Sequence, residues 1–153
     1  FSFKSVSLSV FLEGSQGASI LNNAAIDSYF PVSFRRNKLA KPYLNRWTPE
    51  NPTNEYPSFV NPTSQGQQTV NSRTVEDASY LRLQSVRLSY DFKLHNKVIK
   101  GLQAYVTGQN LFTITNYSGI DPAVNSIGDD ILKIDYSSYP MTRSFLFGIN
   151  VQF

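Results

Sequence analysis

Few side chains in this sequence could carry a reaction. The single histidine, His95, stands in a turn-like run with Asn96 and Lys97, and no serine and acid are spaced to orient it for nucleophilic catalysis. The neighbours Glu76–Asp77 and Asp129–Asp130 would point to opposite sides of a strand, so neither pair can share a proton. Asp121, Asn125, Asp129, Asp130 and Asp135 crowd one loop, and their hard oxygens suit calcium. Their spacing departs from the twelve-residue calcium loop, so a hydrated, turn-forming segment over 121–135 is the better reading. With no cysteine, disulfides and thiolate metal sites are excluded, and one histidine excludes a multi-histidine centre. The expectation is no cofactor and no enzyme.

Charge argues against nucleic acid. Arg35, Arg36, Lys38, Lys41 and Arg46 cluster beside Phe34, Tyr43 and Trp47, but the other charges are scattered and the net charge is only +3. A solvated loop or short helix face accounts for such a run. The 153 residues suit one domain, while the charged fraction of 16% falls below the roughly 25% of soluble domains. Eleven Phe and nine Tyr stand against one Trp and one Met. No run approaches the ~18 apolar residues of a membrane helix. Phe1 opens in mid-pattern, as a fragment or processed piece would.

The organising signal is alternation. Four segments, about 2–13, 79–92, 102–114 and 141–153, have the period of a strand and reach the ~9–11 residues that cross a bilayer. In the last, Phe145, Phe147, Ile149, Val151 and Phe153 share one face against Ser144, Leu146, Gly148, Asn150 and Gln152. In the first, Val6, Leu8, Val10 and Leu12 oppose Ser5, Ser7, Ser9 and Phe11, with Phe1 and Phe3 out of phase. In the second, Val86, Leu88, Tyr90 and Phe92 oppose Ser85, Arg87, Ser89 and Asp91, whereas Leu81 and Leu83 have the other phase. That change places a bulge near Gln84 and Ser85. The third segment alternates until Asn110 and Leu111 break the rule.

The connections run long, short, long: residues 15–78, the basic turn 93–101, and residues 115–140. A compact soluble domain seldom carries so long an irregular loop. An outer-membrane barrel does, with long extracellular loops and short periplasmic turns. Aromatics then fall at both strand ends: Phe1, Phe3, Tyr90, Phe92 and Phe153 at the periplasmic side, and Tyr80, Phe112, Tyr117, Tyr136 and Tyr139 at the outer side. Within 15–78, short helices are expected over 18–28 and, interrupted by Pro42, over 37–47. The turn-rich stretch from Thr48 to Thr63 should lack regular structure.

Four passages, RWTPENPTNEYP from Arg46, VEDASYLRLQSVRLSYDF from Val75, GLQAYVTGQNLFTITNYSGIDP from Gly101 and the closing MTRSFLFGINVQF, resemble the SusC/RagA-type TonB-dependent outer-membrane transporters of Bacteroidota. The resemblance implies an all-β fold: the last four antiparallel strands of a transmembrane barrel of about 22 strands with a plug. It implies that the remaining barrel and plug come from another stretch of polypeptide. It also implies a SusD-like surface lipoprotein, a TonB complex engaged through the missing N-terminal part, outer-membrane lipid around the wall, and import of oligosaccharides or peptides. Arg87, Asp91 and Gln103 would line the lumen wall. Trp47, Tyr56, Tyr117, Tyr136 and Tyr139 would contact ligand or lid from the extracellular loops, unless they fold those loops onto each other. Phe145, Phe147, Ile149, Val151 and Phe153 resemble the signal read by the barrel-assembly machinery. Two rival readings stay open: a soluble, aromatic-rich β-sandwich that binds glycans, and a passive outer-membrane barrel without energy coupling.

Deleting Phe153 should reduce insertion into the outer membrane more than it changes the stability of barrels already assembled. Fractionation together with heat-modifiable electrophoretic mobility checks this, and normal insertion would remove the signal role.

Overall fold

The computed structural model describes residues 1–29, 37, 39–59, 70, 72–94, 98–126 and 133–153. In chain order its elements are β1 (Ser2–Phe3), β2 (Val6–Ser15), β3 (Ser19–Asn22), α1 (Asn23–Tyr29), α2 (Ala40–Leu44), β4 (Val75–Asp77), β5 (Tyr80–Phe92), β6 (Gly101–Thr115), β7 (Lys133–Asp135) and β8 (Ser144–Gln152). They divide into two compact units.

The first unit is an antiparallel sheet of order β1-β2-β5-β6-β8. Residues directly opposite in an antiparallel ladder share a face, and the register therefore joins the alternating sets of all four long strands. Val6, Tyr90, Ala104 and Ile149 form one cross-strand row, and Leu8, Leu88, Val106 and Phe147 form the next. The opposite face carries Ser7, Ser89, Tyr105 and Gly148, then Ser9, Arg87, Thr107 and Leu146. Among the described residues of this unit no layer covers the apolar side: Phe147 is 79% exposed and Ile149 68%. The sheet is an open, two-faced ribbon, and four long strands do not close a barrel.

The bulge read from the phase change is present. Phe11 pairs with Ser85 but Leu12 with Leu83, so Gln84 is an extra residue in β5 that returns Leu81 and Leu83 to the apolar side. A second irregularity follows in β6, where Gln109 pairs with Ser85 and Phe112 with Leu83. There Asn110 takes a left-handed φ of 51°, which asparagine tolerates better than most residues. Its amide donates to the Thr142 carbonyl, while Leu111 packs over Gly108. The apparent break at Asn110 and Leu111 is thus a local reversal that keeps each face chemically uniform.

The strand ends differ from the sequence reading: the last strand is Ser144–Gln152 rather than 141–153. The segment expected as one strand over 2–13 is split: Lys4, with φ 54°, and Ser5 turn the chain so that Phe3 pairs with Val6. Phe1 and Phe3 are out of phase because they belong to a separate strand. At the other end, Tyr80 lies on the polar face, donating to Glu13 Oε1 at 2.7 Å, rather than in an apolar girdle.

The second unit draws three short segments of the expected irregular loops into a small mixed sheet of order β4-β3-β7, antiparallel on one side and parallel on the other. Ile20, Ala78 and Tyr117 form its core, with Ala18 and Val124 packed on it. The helix expected over 18–28 begins as β3, because residues 19–22 pair with β4 and β7 before Asn22 ends the strand. Asn22 Oδ1 then accepts from Ala25 N at 2.8 Å and caps α1. Pro42 does not interrupt α2. It sits at the third position, where the backbone N–H has no helical partner to lose.

Gly148 leaves room for its cross-strand neighbour. A Cβ there would lie 2.4 Å from the Tyr105 ring, which covers the glycine. Gly148→Val should expel that ring and destabilise the assembled protein by about 1–3 kcal/mol, read as a lower thermal midpoint of the full-length protein in detergent.

Candidate functional site

The polar face of the five-stranded sheet gathers its charged side chains into two networks. Near the short turns, Gln103 Nε2 donates to Asp91 Oδ1 at 2.8 Å. Gln103 Oε1 accepts from Asn150 Nδ2 at 3.2 Å and from Arg87 Nη2 at 3.4 Å. The Arg87 guanidinium also stacks 3.9 Å from the centre of the Tyr105 ring, the ring that covers Gly148. Arg87, Asp91 and Gln103, expected to line one wall, are therefore one hydrogen-bonded group on one face. Asn150 and Tyr105 complete it.

The second network lies towards the long-loop end. Arg82 is almost fully buried and donates through Nε to Thr113 Oγ1 at 2.9 Å, beside the Tyr80 ring. Glu13 takes the Tyr80 phenol and pairs in register with Arg82. Sequence reasoning passed over this group. The signal was available, since a bulge that returns Leu81 and Leu83 to the apolar side must send Arg82 to the polar one.

In the loop unit, Glu76 is the organising acid. Its Oε1 accepts from Asn22 Nδ2 at 2.8 Å and Ser118 Oγ at 2.7 Å, and its Oε2 accepts from Ser118 N at 2.9 Å. Asn22, which caps α1 and pairs through its backbone with Thr74, thereby ties three stretches of chain at one point. Asp135 is buried: Oδ2 accepts from the Tyr117 phenol at 2.7 Å, and Oδ1 accepts from Ser137 N and Ser138 N. Burial, reinforced by that hydrogen bond, pushes the Tyr117 phenol far above its ordinary ionisation range.

The aromatic residues expected to face ligand separate into two groups. Tyr56 and Tyr117 are buried, at 8% and 6% exposure, and act inside the loops; neither can stack on a ligand. Tyr56 sits edge-on to Tyr29, with burial raising its phenol pKa and Lys41 opposing the shift. Trp47, Tyr136 and Tyr139 are exposed. Beside Trp47, the Arg46 guanidinium lies over the Tyr43 ring at 4.1 Å, and Tyr43 meets Phe59 edge-to-face.

Asp121 caps its own turn by accepting from Ala123 N, and among the described residues no three acidic or histidine side chains gather as metal ligands. His95, Asp129 and Asp130 lie outside the described residues, as do Phe34, Arg35, Arg36 and Lys38.

A two-faced sheet bearing polar networks on one side, with a small loop unit beside it in sequence, has clear counterparts. A TonB-dependent receptor of Formosa agariphila is 33% identical over 162 residues, covering 99% of this chain and 16% of the relative. SusC, a TonB-dependent receptor of Bacteroides thetaiotaomicron, is 36% identical over 83 residues, 52% of this chain and 8% of its own length. The RagAB peptide importer in its open-open state matches at a TM-score of 0.81 and 27% identity, over 99% of this chain and 16% of the solved one. The chain belongs to the SusC/RagA family of TonB-dependent receptors. No family model matches it. Its sheet corresponds to part of a TonB-dependent barrel, left open in this segment, and the SusC/RagA segment here spans 16% of the first relative.

The raised Tyr117 pKa has a defined sign. Its stabilising contribution is complete below the unfolded phenol's value of about 10 and is lost as pH rises towards the folded value. Tyr117→Phe should leave Asp135 short of a donor and cost about 1–3 kcal/mol in loop stability, seen as faster amide exchange in β7 with β6 and β8 unchanged. The alkaline loss of loop protection should be weaker in that variant.

Proposed function

We propose that this chain supplies wall and outer-loop structure to a TonB-dependent importer of the bacterial outer membrane. The carrying observation is the open apolar face of β2, β5, β6 and β8, backed by a polar, hydrogen-bonded opposite face. Hydrocarbon on one side and a protein-filled lumen on the other suit that arrangement. A soluble sandwich would place Phe145, Phe147 and Ile149 in a core. Their exposure within an otherwise well-paired sheet speaks for lipid instead.

In this reading Arg87, Asp91 and Gln103 belong to the lumen wall and face the plug. The cargo is a nutrient too bulky to diffuse freely, an oligosaccharide or a peptide, delivered with a SusD-like lipoprotein. The exposed rings of Trp47, Tyr136 and Tyr139 are the loop groups suited to stack on such a cargo or to pack against the lid. The alternating β8 face, with Phe153 beyond it, serves as the assembly signal. The work of transport is done by binding and rearrangement, with energy from the inner-membrane TonB complex, and no bond in the cargo is broken.

The test is made on the full-length transporter in its own cells. The protein should fractionate with the outer membrane and require detergent for extraction. Uptake of the cargo should fall to background when TonB is removed, and uptake that persists without TonB would favour a passive barrel. Trp47→Ala combined with Tyr139→Ala should raise the half-saturating cargo concentration about tenfold or more while leaving the amount of assembled protein unchanged.

A further inference from the structure

The turn end of the five-stranded sheet holds a cleft of about 560 Å³, lined by Phe3, Lys4, Val6, Tyr90, Phe92 and Lys93 among others. The β1–β2 turn, with its left-handed Lys4, presents that ammonium beside the Phe3 ring, 5.3 Å from its centre. Tyr90 and Phe92 meet edge-to-face at 4.8 Å and form an aromatic wall. Lys93 enters from the end of β5. Among the described residues neither lysine forms an ion pair. The carboxylate that adjoins Phe92 in sequence, Asp91, lies on the opposite face and is held by Gln103.

A shallower groove of about 270 Å³ runs on along the apolar face between Val6, Leu88, Tyr90, Ala104 and Val106. It shares Val6 and Tyr90 with the basic cleft. Ala104 makes the dent, because its small side chain stands in a cross-strand row between Tyr90 and Ile149. A basic, aromatic-walled cleft adjoining a shallow apolar groove has the chemistry of one ligand class. Phosphate complements the lysines, and a hydrocarbon chain fills the groove. Inorganic phosphate would use the first half and leave the second unoccupied.

We propose that this cleft and groove bind an anionic phospholipid of the leaflet that meets the short turns, its phosphate between Lys4 and Lys93 and an acyl chain over Ala104. The site rests on the reading of the sheet as a membrane barrel wall. It gives the turn end a specific lipid contact beyond the general wetting of the apolar face.

The test uses the full-length transporter in mild detergent, with phosphatidylglycerol, phosphatidylethanolamine and inorganic phosphate as probes and native mass spectrometry as the readout. Phosphatidylglycerol should be retained in preference to phosphatidylethanolamine, and Lys4→Gln with Lys93→Gln should weaken that retention at least about tenfold. Ala104→Phe should weaken it as well, with both lysines intact, and keeps the site testable if the double variant assembles poorly. Unchanged phosphatidylglycerol retention in the lysine variant would overturn the proposal. So would displacement of the lipid by inorganic phosphate together with indifference to Ala104→Phe. Protein in the outer-membrane fraction that retains no phosphatidylglycerol overturns the lipid site alone, whereas protein absent from that fraction overturns the barrel reading beneath it.

Discussion

The backbone of a strand in hydrocarbon has nowhere to place an unpaired N–H or C=O, and each such group costs several kcal/mol. In the proposed membrane setting that constraint governs the first unit of this chain. It favours long, uninterrupted ladders, and β5 and β6 pair over nearly their whole length. Irregularities in these ladders are confined to the two bulges, at Gln84 and at Asn110. Asn110 adopts the left-handed conformation, and its side chain reaches the Thr142 carbonyl. The same constraint sets the meaning of the faces. Once the ladders are fixed, the side chains alone must satisfy two unlike surroundings, and the register keeps Leu8, Leu88, Val106 and Phe147 in one row while Ser7, Ser89 and Tyr105 share another.

The loop unit follows a different logic. Its buried apolar side chains, Ile20, Ala25, Ile26, Tyr56, Ala78, Tyr117 and Ile134, are spread over short elements. Carboxylates link those elements. Glu76 gathers Asn22 and Ser118, and Asp135 gathers Tyr117, Ser137 and Ser138. Hydrogen bonds to ionised groups are the stronger class and are directional. They can therefore fix short strands such as β4 and β7, only three residues each, which β propensity alone would not maintain.

Period-two alternation made the four long strands and the Gln84 bulge legible, because one-sided burial in two solvents writes itself directly into sequence. It also put Arg87 and Asp91 on the polar face of their strand, and the resemblance to a plugged barrel added Gln103 to the same wall. What alternation could not show was anything decided by tertiary partners. The Lys4 turn was hidden because lysine is a poor marker for a left-handed residue. Whether Tyr56 and Tyr117 would meet ligand or fold the loops together stayed open, because nothing local distinguishes a ring that will be covered. Residues 19–22 read as helical because their pairing partners, β4 and β7, are distant in the chain. The Arg82 group was missed for a simpler reason: the phase change was recognised, but its effect on the intervening polar residue was not followed.

The two bulges are consecutive, and they compound. Between the row of Phe11, Ser85 and Gln109 and the row of Leu12, Leu83 and Phe112, the chain advances one residue in β2, two in β5 and three in β6. At ~3.3 Å per residue, β6 carries up to about 7 Å more backbone through this zone than β2. The surplus does not raise the rim, because Ser15, Tyr80 and Thr115 still meet in one row. It is taken up as local bending and added twist. The long connections therefore leave from a level sill above a crease, and losing a single crease residue would turn every side chain beyond it inside out.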